Sequence, residues 1–254
     1  MKSSMLRKLQ KLLELCIAAT AGIYLGKVLW MWMDYRNHPA LYVQDSISFS
    51  GKMSVISGIA FAVAAVEAIF YLYIRYLRKK KRELGLQKTM KTKHLTIRPL
   101  KENDRSDMGD ILTNDDVCRT YLVPNFASEE EVTALFETLY KNSLSKEHYL
   151  YGICQGKKLI GFVNDVEQKG DVIELGYVIH PAYQGKGYAT EMLNAVLLDL
   201  KELGYIKVLA GAFEENIASI RVMEKCGMEK TDREEDIAYR GRKHHCVYYE
   251  KVMF

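Results

Sequence analysis

The sequence predicts an α+β module carried behind a pair of membrane-crossing helices, and three observations predict it. Two long apolar runs, each bordered by cations, fill about half of the first ninety residues. Between residues 149 and 179, short alternating strands are separated by glycine-bearing turns. A glycine-rich turn, Gln184-Gly185-Lys186-Gly187-Tyr188-Ala189, joins an apolar strand to an amphipathic helix. Charge divides the chain at the same place as hydropathy. Residues 1–93 carry a balance of +11 and residues 94–254 a balance of −7, which recovers the net +4 of the 254-residue chain. A basic front and an acidic back imply two modules with different surroundings. The acidic back argues against nucleic acid as a partner, since that function needs a basic face, and it tolerates a cationic small molecule or a basic peptide.

Leu15 to Met33 and Met53 to Leu77 are each close to the ~20 residues a helix needs to cross ~30 Å of hydrocarbon. Lys2, Arg7, Lys8 and Lys11 precede the first run, and Arg78, Lys79, Lys80, Lys81 and Arg82 follow the second. The loop between them, Asp34 to Lys52, holds only Arg36 and Lys52 as fixed cations. The positive-inside bias therefore puts both ends in the cytoplasm and the loop outside, with Trp30, Trp32 and Tyr35 at the outer interface. The result is a multi-pass hairpin in the cell membrane, in contact with lipid. A signal peptide would not be followed by a second run of this kind. Lys27 snorkels from the outer end. Glu67 lies deeper and is expected on the helix–helix face with Ala60 and Ala64, opposite a small-residue row of Ala18, Gly22 and Gly26. Such rows also suit pairing between copies, so a homo-oligomer is compatible with the sequence. Residues 1–82 are thus read as anchor, 83–93 as a short basic tether and 94–254 as the second module.

That module opens with a strand at His94–Leu100, where apolar residues alternate. Helices follow at Asp104–Leu112 and Ser128–Tyr140, the second with Ser128 and Glu131 at capping-box spacing. Strands at Tyr149–Cys154, Leu159–Val166 and Val172–Ile179 form an antiparallel meander, with turns at Gln155-Gly156 and Lys169-Gly170. A helix at Tyr188–Leu203, a strand at Ile206–Ala212, a helix at Asn216–Cys226 stopped by Gly227, and a final pair of strands complete it.

Glycines at the Gln184–Ala189 turn let several amide N–H groups face one point, and the following helix N-terminus adds partial positive charge there, which suits a pyrophosphate. The loop resembles the Q/R-x-x-G-x-G/A acyl-CoA loop of the GNAT acetyltransferase superfamily, with Gln184, Gly187 and Ala189 at its fixed positions. The strand IELGYVIHP before it, and Asn216-Ile217-Ala218-Ser219-Ile220-Arg221 followed by Lys225-Cys226-Gly227 after it, resemble the ribosomal-protein N-terminal acetyltransferase branch. The resemblance covers roughly His94 to Phe254. It implies the GNAT fold, a mixed and mainly antiparallel sheet splayed at its fourth strand and flanked by helices. It also implies transfer of acetyl from acetyl-CoA to a primary amine, either a protein N-terminus or a small amine.

Such a transfer needs a neutral amine, a stabilised oxyanion and a proton for the departing thiolate. The resemblance implies that the pantetheine arm pairs with backbone near Val178 and Ile179, and that residues 184–189 hold the pyrophosphate. By the same resemblance Glu174 is the candidate base and Ser219 the group that protonates or steadies the sulfur. Asn216 contacts the pantetheine arm and can also cap its helix. Tyr177 and Tyr183 read as packing residues, and His180 as a loop residue beside the coenzyme. His245 stands where that branch often has an acid, which leaves the acceptor open. The five cysteines show neither C-x-x-C nor metal-ligand spacing and read as reduced thiols, and no metal is expected. The alternative is a silent acyl-CoA-binding module whose membrane hairpin is the working part.

Overall fold

The computed structural model describes residues 3–44 and 48–253; Lys2 among the flanking cations, positions 45–47 of the loop and the terminal Phe254 lie outside them. The chain divides into two compact units, Met1–Lys81 and Arg82–Phe254.

In the first unit, α1 (Ser3–Asn37) and α3 (Phe49–Gly85), joined through the short α2 (Pro39–Gln44), form the hairpin. Met5–Asn37 and Phe49–Glu83 are long and apolar enough to cross a membrane, and their apolar side chains point outward. Polar pairs stitch the two helices together. The Thr20 hydroxyl donates to Glu67 at 2.9 Å, Tyr24 and Ser57 share a hydrogen bond of 3.0 Å, and Arg78 reaches Gln10. Glu67 does face the partner helix, together with Ala60 and Ala64. The opposing row is Ile17, Thr20 and Tyr24 rather than Ala18, Gly22 and Gly26; a Cβ on either glycine would meet nothing within 4 Å. A hydroxyl satisfies a carboxyl in this setting and a glycine cannot, which decides the rotation of α1. At the far end the Lys27 ammonium sits 4.2 Å over the Trp30 ring.

In the second unit, eight strands form one sheet in the order β1-β2-β3-β4-β5-β6-β8-β7. They are β1 (Met90–Lys91), β2 (Thr96–Arg98), β3 (Leu150–Gln155), β4 (Lys158–Lys169), β5 (Val172–Ile179), β6 (Lys207–Phe213), β7 (Glu229–Tyr239) and β8 (Arg242–Val252). All neighbours are antiparallel except β5 and β6. Helices α7 (Tyr188–Leu203) and α8 (Ile217–Lys225) cover one face, over a core that includes Ile173, Leu175, Val196 and Val208. Helices α4 (Arg105–Leu112), α5 (Asp115–Thr120) and α6 (Glu129–Leu144) cover the other, over Leu100, Leu150 and Phe162. The periodicity of α7 explains its seat: Met192, Leu193, Val196, Leu197, Leu200 and Leu203 recur at three- and four-residue spacing and are all buried. Gly204, at φ 92°, ends the helix in the left-handed conformation that glycine adopts without strain.

One expectation in this unit needs correction. The Ser128 side chain makes no cap hydrogen bond; Glu131 instead accepts from the Ala127 N–H at 2.8 Å, so only the carboxylate half of the capping box exists, one residue early. Residues 82–93 fall within the second unit, where their side chains and backbone find partners. Met90–Lys91 pairs with Thr96–Ile97, Arg82 reaches Asp171 and stacks at 4.3 Å over Tyr205, and Lys88 pairs with Asp199 and Glu202.

His94 closes the start of this unit onto α7: its backbone N–H and ring both meet the Glu191 carboxylate, at 2.7 and 2.8 Å. Burial pushes the Glu191 carboxyl up, but hydrogen bonds from Thr92 and His94 outweigh it and bring the group down to about 2. A carboxyl depressed on folding contributes stability above its unfolded value and loses it as pH falls through its folded value. The wild-type advantage over Glu191→Gln in unfolding midpoint should therefore be complete near neutrality and fade between about pH 4.5 and pH 2.

Candidate active site

The β5–β6 ladder is the origin of the site. These parallel strands pair from Val172↔Lys207 to Leu175↔Ala210 and no further, so Gly176–Ile179 and Gly211–Phe213 diverge. His180 N–H donates to Ile160 across β4. Counting back by the two-residue alternation of a strand, Val178 turns its backbone polar groups to β4, whereas Tyr177 and Ile179 turn theirs into the gap. The gap opens into a cleft of about 600 Å³ that Val178, Ile179, Gln184, Tyr188, Asn216 and Ser219 help to line.

At one end stands the glycine turn. The Gln184 side-chain amide donates to the Ile179 carbonyl at 2.8 Å and so clamps the loop onto the end of β5. Gly185 and Gly187 have φ of 75° and 80°, and a Cβ at either would project into open space within 4 Å. Both glycines thus hold a left-handed backbone that other residues resist, with an open face directly before the free N–H groups of the first turn of α7. That cradle fits a pyrophosphate. Lys186 folds back, its ammonium 3.3 Å from the Ala182 carbonyl and 5.2 Å from the Tyr183 ring centroid. The Tyr188 hydroxyl accepts from Gln155 at 2.6 Å. His180 caps the short turn Pro181–Tyr183, its ring nitrogen accepting from Ala182 N–H at 3.2 Å.

In the middle of the cleft, Asn216 caps α8 by accepting from Ser219 N–H at 3.1 Å, which fixes the serine in the first turn. The Ser219 hydroxyl lies 2.9 Å from that of Tyr177, which also lies 3.3 Å from the Ser219 carbonyl. Burial pushes the Tyr177 phenol up to about 12, with the Ser219 hydrogen bond opposing it, so it stays protonated at neutral pH. Tyr177, which looked like a packing residue, is therefore the partner of the candidate acid. Its place on the strand that faces α8 was the available signal.

At the far end lie Gly176 and Gly211, with α5 alongside. This helix went unread in the sequence, although Asn114 followed by two aspartates is a helix start: Asn114 accepts from Asp116 and Val117 N–H. Tyr121 follows it and donates to Asn164 at 2.6 Å; a Cβ on Gly176 would come within 2.9 Å of that hydroxyl. Glu174 is buried two residues earlier on the same face of β5, and it is not among the residues that line the cleft. Its carboxylate accepts from Arg233 at 2.7 Å, and the Arg233 guanidinium lies 3.7 Å over the Tyr248 ring. His245 bridges Asp236 and Glu234 of β7, and His244 meets Glu215 in the turn between β6 and α8, so both histidines are engaged by acids.

All five cysteines are free thiols, four of them buried, and burial pushes Cys154 up to about 11. Such thiols are poor nucleophiles. Among the described residues no three His, Cys, Asp or Glu side chains gather as a metal site would require.

Comparison with known proteins agrees with this geometry. Residues 94–229 match the Acetyltransferase (GNAT) domain family. The Bacillus subtilis protein YnaD, described as an uncharacterized N-acetyltransferase, is 28% identical over 165 residues, 64% of this chain and 95% of its own. YoaA from the same organism, described in the same words, is 29% identical over 146 residues, 56% of this chain and 82% of its own. A GNAT-family acetyltransferase structure from Bacillus anthracis superposes with a TM-score of 0.56 at 25% identity, covering 65% of this chain and 99% of that one. The ribosomal L7/L12 α-N-protein acetyltransferase RimL, solved with coenzyme A, gives 0.59 at 15% identity, over 65% of this chain and 98% of that one. The microcin C7 self-immunity acetyltransferase MccE, solved with acetyl-CoA and AMP, gives 0.57 at 15% identity, over 63% of this chain and 93% of that one. A glycine turn on a helix N-terminus, a sheet that parts after four paired residues and a capped serine beside the opening are thus found in a chain that belongs to the GNAT acetyltransferase family.

Proposed function

We propose that this acetyltransferase uses acetyl-CoA to acetylate a primary amine, on a protein N-terminus or a small molecule, while anchored in the cell membrane with its GNAT module in the cytoplasm. The observation that carries the reading is the unpaired edge of β5, ending at an open glycine cradle with Ser219 alongside. The coenzyme A bound by RimL and the acetyl-CoA bound by MccE support the choice of co-substrate. Residues 1–82 serve as the anchor, 83–93 lead into the sheet through β1, and 94–254 form the transferase. The cations at Arg7, Lys8 and Lys11 and at Arg78–Arg82 support the cytoplasmic placement.

In the reaction the amine nitrogen bonds to the acetyl carbon, the carbon–sulfur bond breaks, the amine loses a proton and the sulfur gains one. Residues 184–189 hold the pyrophosphate on backbone N–H groups. The Tyr177 and Ile179 backbone edge aligns the pantetheine arm, and an N–H of that edge polarises the carbonyl oxygen. Ser219 Oγ–H supplies the proton to sulfur, oriented by Tyr177 and by the Asn216 cap that fixes its backbone. Glu174 takes the amine proton once its carboxylate is free of Arg233.

The test uses the full chain in detergent with acetyl-CoA and a panel of peptide N-termini, polyamines and aminoglycosides, read by mass spectrometry. An acetylated product should form, and Ser219→Ala should lower kcat roughly 10²–10⁴-fold, the range for a lost general acid, while acetyl-CoA binding persists. Binding without any product would favour the second reading, a silent acyl-CoA sensor. The observation on its side is the Glu174 carboxylate already held by an arginine.

A further inference from the structure

Building on the acetyl-transfer reading, we infer that the acceptor enters as a cation, into a site made by Glu174, Glu235 and the Tyr248 ring that Arg233 fills in this structure. Those three groups surround the guanidinium. Nη1 donates to Glu174 at 2.7 Å, Nη2 lies 3.6 Å from Glu235, and the aromatic face is 3.7 Å away. The Tyr248 hydroxyl donates to Glu235 at 3.0 Å, so the ring and the second carboxylate are held as one wall. A carboxylate at one side and a π face at the other is the chemistry that recognises an ammonium or a guanidinium.

The location argues for a substrate site rather than an ordinary strand ion pair. Glu174 and Gly176 project from the same face of β5, and Leu209 and Gly211 from the same face of β6, because Glu174 and Leu209 are register partners. The cleft reaches Gly176 and Gly211, and the Tyr248 ring is packed so close under Gly211 that a Cβ there would come within 2.8 Å of it. The arginine cluster therefore adjoins the cleft at its Gly176 and Gly211 end, opposite the pyrophosphate cradle, where an acceptor has to arrive.

Arg233 is also placed to leave. The β7–β8 register breaks between Lys230 and Glu234, so residue 233 lies in the irregular part of the strand, and its side chain is 45% exposed. Its surroundings are acidic on balance: β7 carries Asp232, Glu234, Glu235 and Asp236, of which Glu234 and Asp236 are matched by Lys230, Lys243 and His245, and the module as a whole carries −7. An ammonium that displaces Arg233 meets the Glu174 carboxylate directly. Transfer of one proton from nitrogen to that carboxylate leaves the neutral amine that attack requires. The carboxyl passes this proton to solvent, and the second nitrogen proton, lost after attack, replaces by way of solvent the one that Ser219 gives to sulfur.

The experiment compares spermidine with glutamate as acceptors for the full chain in detergent, in wild type and Arg233→Gln, together with calorimetric binding of spermidine to each. Wild type should prefer spermidine. Arg233→Gln should raise kcat/KM for spermidine about tenfold or more, mainly through KM, the worth of one charge-assisted contact no longer contested. Glutamate should gain nothing, the dissociation constant for acetyl-CoA should stay unchanged, and adding Glu235→Gln should reverse the gain. A fall in spermidine turnover in Arg233→Gln, or a wild-type preference for glutamate that this variant abolishes, would overturn the inference and make Arg233 a recognition residue. Tight spermidine binding to Arg233→Gln with no product from any acceptor would sink the acetyl-transfer reading and leave the cation site standing. Failure of spermidine to bind that variant would sink the cation site.

Discussion

Replacing Lys88 with Met should destabilise the transferase module by about 2–3 kcal/mol at pH 7, somewhat less than the 3–5 kcal/mol typical of breaking a fully buried pair. Lys88 is the cation for Asp199, whose side chain is 2% exposed and whose other oxygen accepts from the buried Tyr149 hydroxyl at 2.9 Å. Without the ammonium, a carboxylate is left inside a core of Tyr149, Leu200 and Leu203. The discount reflects Lys88 itself, which is 41% exposed. Burial already raises the Asp199 carboxyl above its ordinary value, against the pull of Lys88 and Tyr149. Protonation removes the need for a cation, so the deficit should be largest at neutral pH and shrink as pH falls through the raised value. Urea unfolding of the full chain, followed from pH 7 downward, measures both effects. Lys88→Met combined with Asp199→Asn should cost less than the two changes summed. A deficit that does not shrink at any pH on the acid side would refute the assignment. A fragment that begins at Met90 should show the same deficit, because it lacks the same ammonium.

Gly187→Val should weaken coenzyme A binding about 100-fold, as loss of two charge-assisted hydrogen bonds would. The position has φ of 80°, and valine is among the residues least tolerant of that conformation. Holding the turn would cost roughly 1–3 kcal/mol, and relaxing it would swing the N–H groups of residues 187–189 away from a common point. The branched side chain would stand in space that is open in the native loop. Titration calorimetry with coenzyme A gives the affinity, and the unfolding midpoint separates lost binding from lost fold. Gly187→Ala should fall between the two proteins. Unaltered affinity in Gly187→Val would mean that the cradle holds something other than the phosphates.

The parts of this fold that were legible in the sequence are those whose signals are local. Val172–Ile179 and Tyr188–Leu203 have the expected bounds because a two-residue alternation and a 3.6-residue stripe are each confined to one segment. The turn between them carries its requirement in its own glycines. β4 runs three residues past its expected end because the bulge between Asp165 and Glu167 lets a polar stretch continue as an exposed ribbon, and polarity alone looks like a turn. Helix α5 is too short for a periodic pattern, and only its cap announced it. The features that matter most to the site were the least legible. Arg233 meets Glu174 across 59 residues, and Tyr177 meets Ser219 across 42, pairings set by topology with no trace in either neighbourhood. The seats of Lys88 and Arg82 were hidden in the same way, since the acids that hold them lie on α7 and beside β5.

The four-residue ladder between β5 and β6 has one more consequence. Amide protons at Leu175 and below are locked between strands, while those at Tyr177 and Ile179 open onto the cleft and should trade with solvent deuterium far sooner. A ligand that lays its own amide groups along that edge would silence the exchange for as long as it stays. The enzyme thus carries an isotopic timer in its sheet, with bound and vacant states distinguishable at two backbone positions and no label attached.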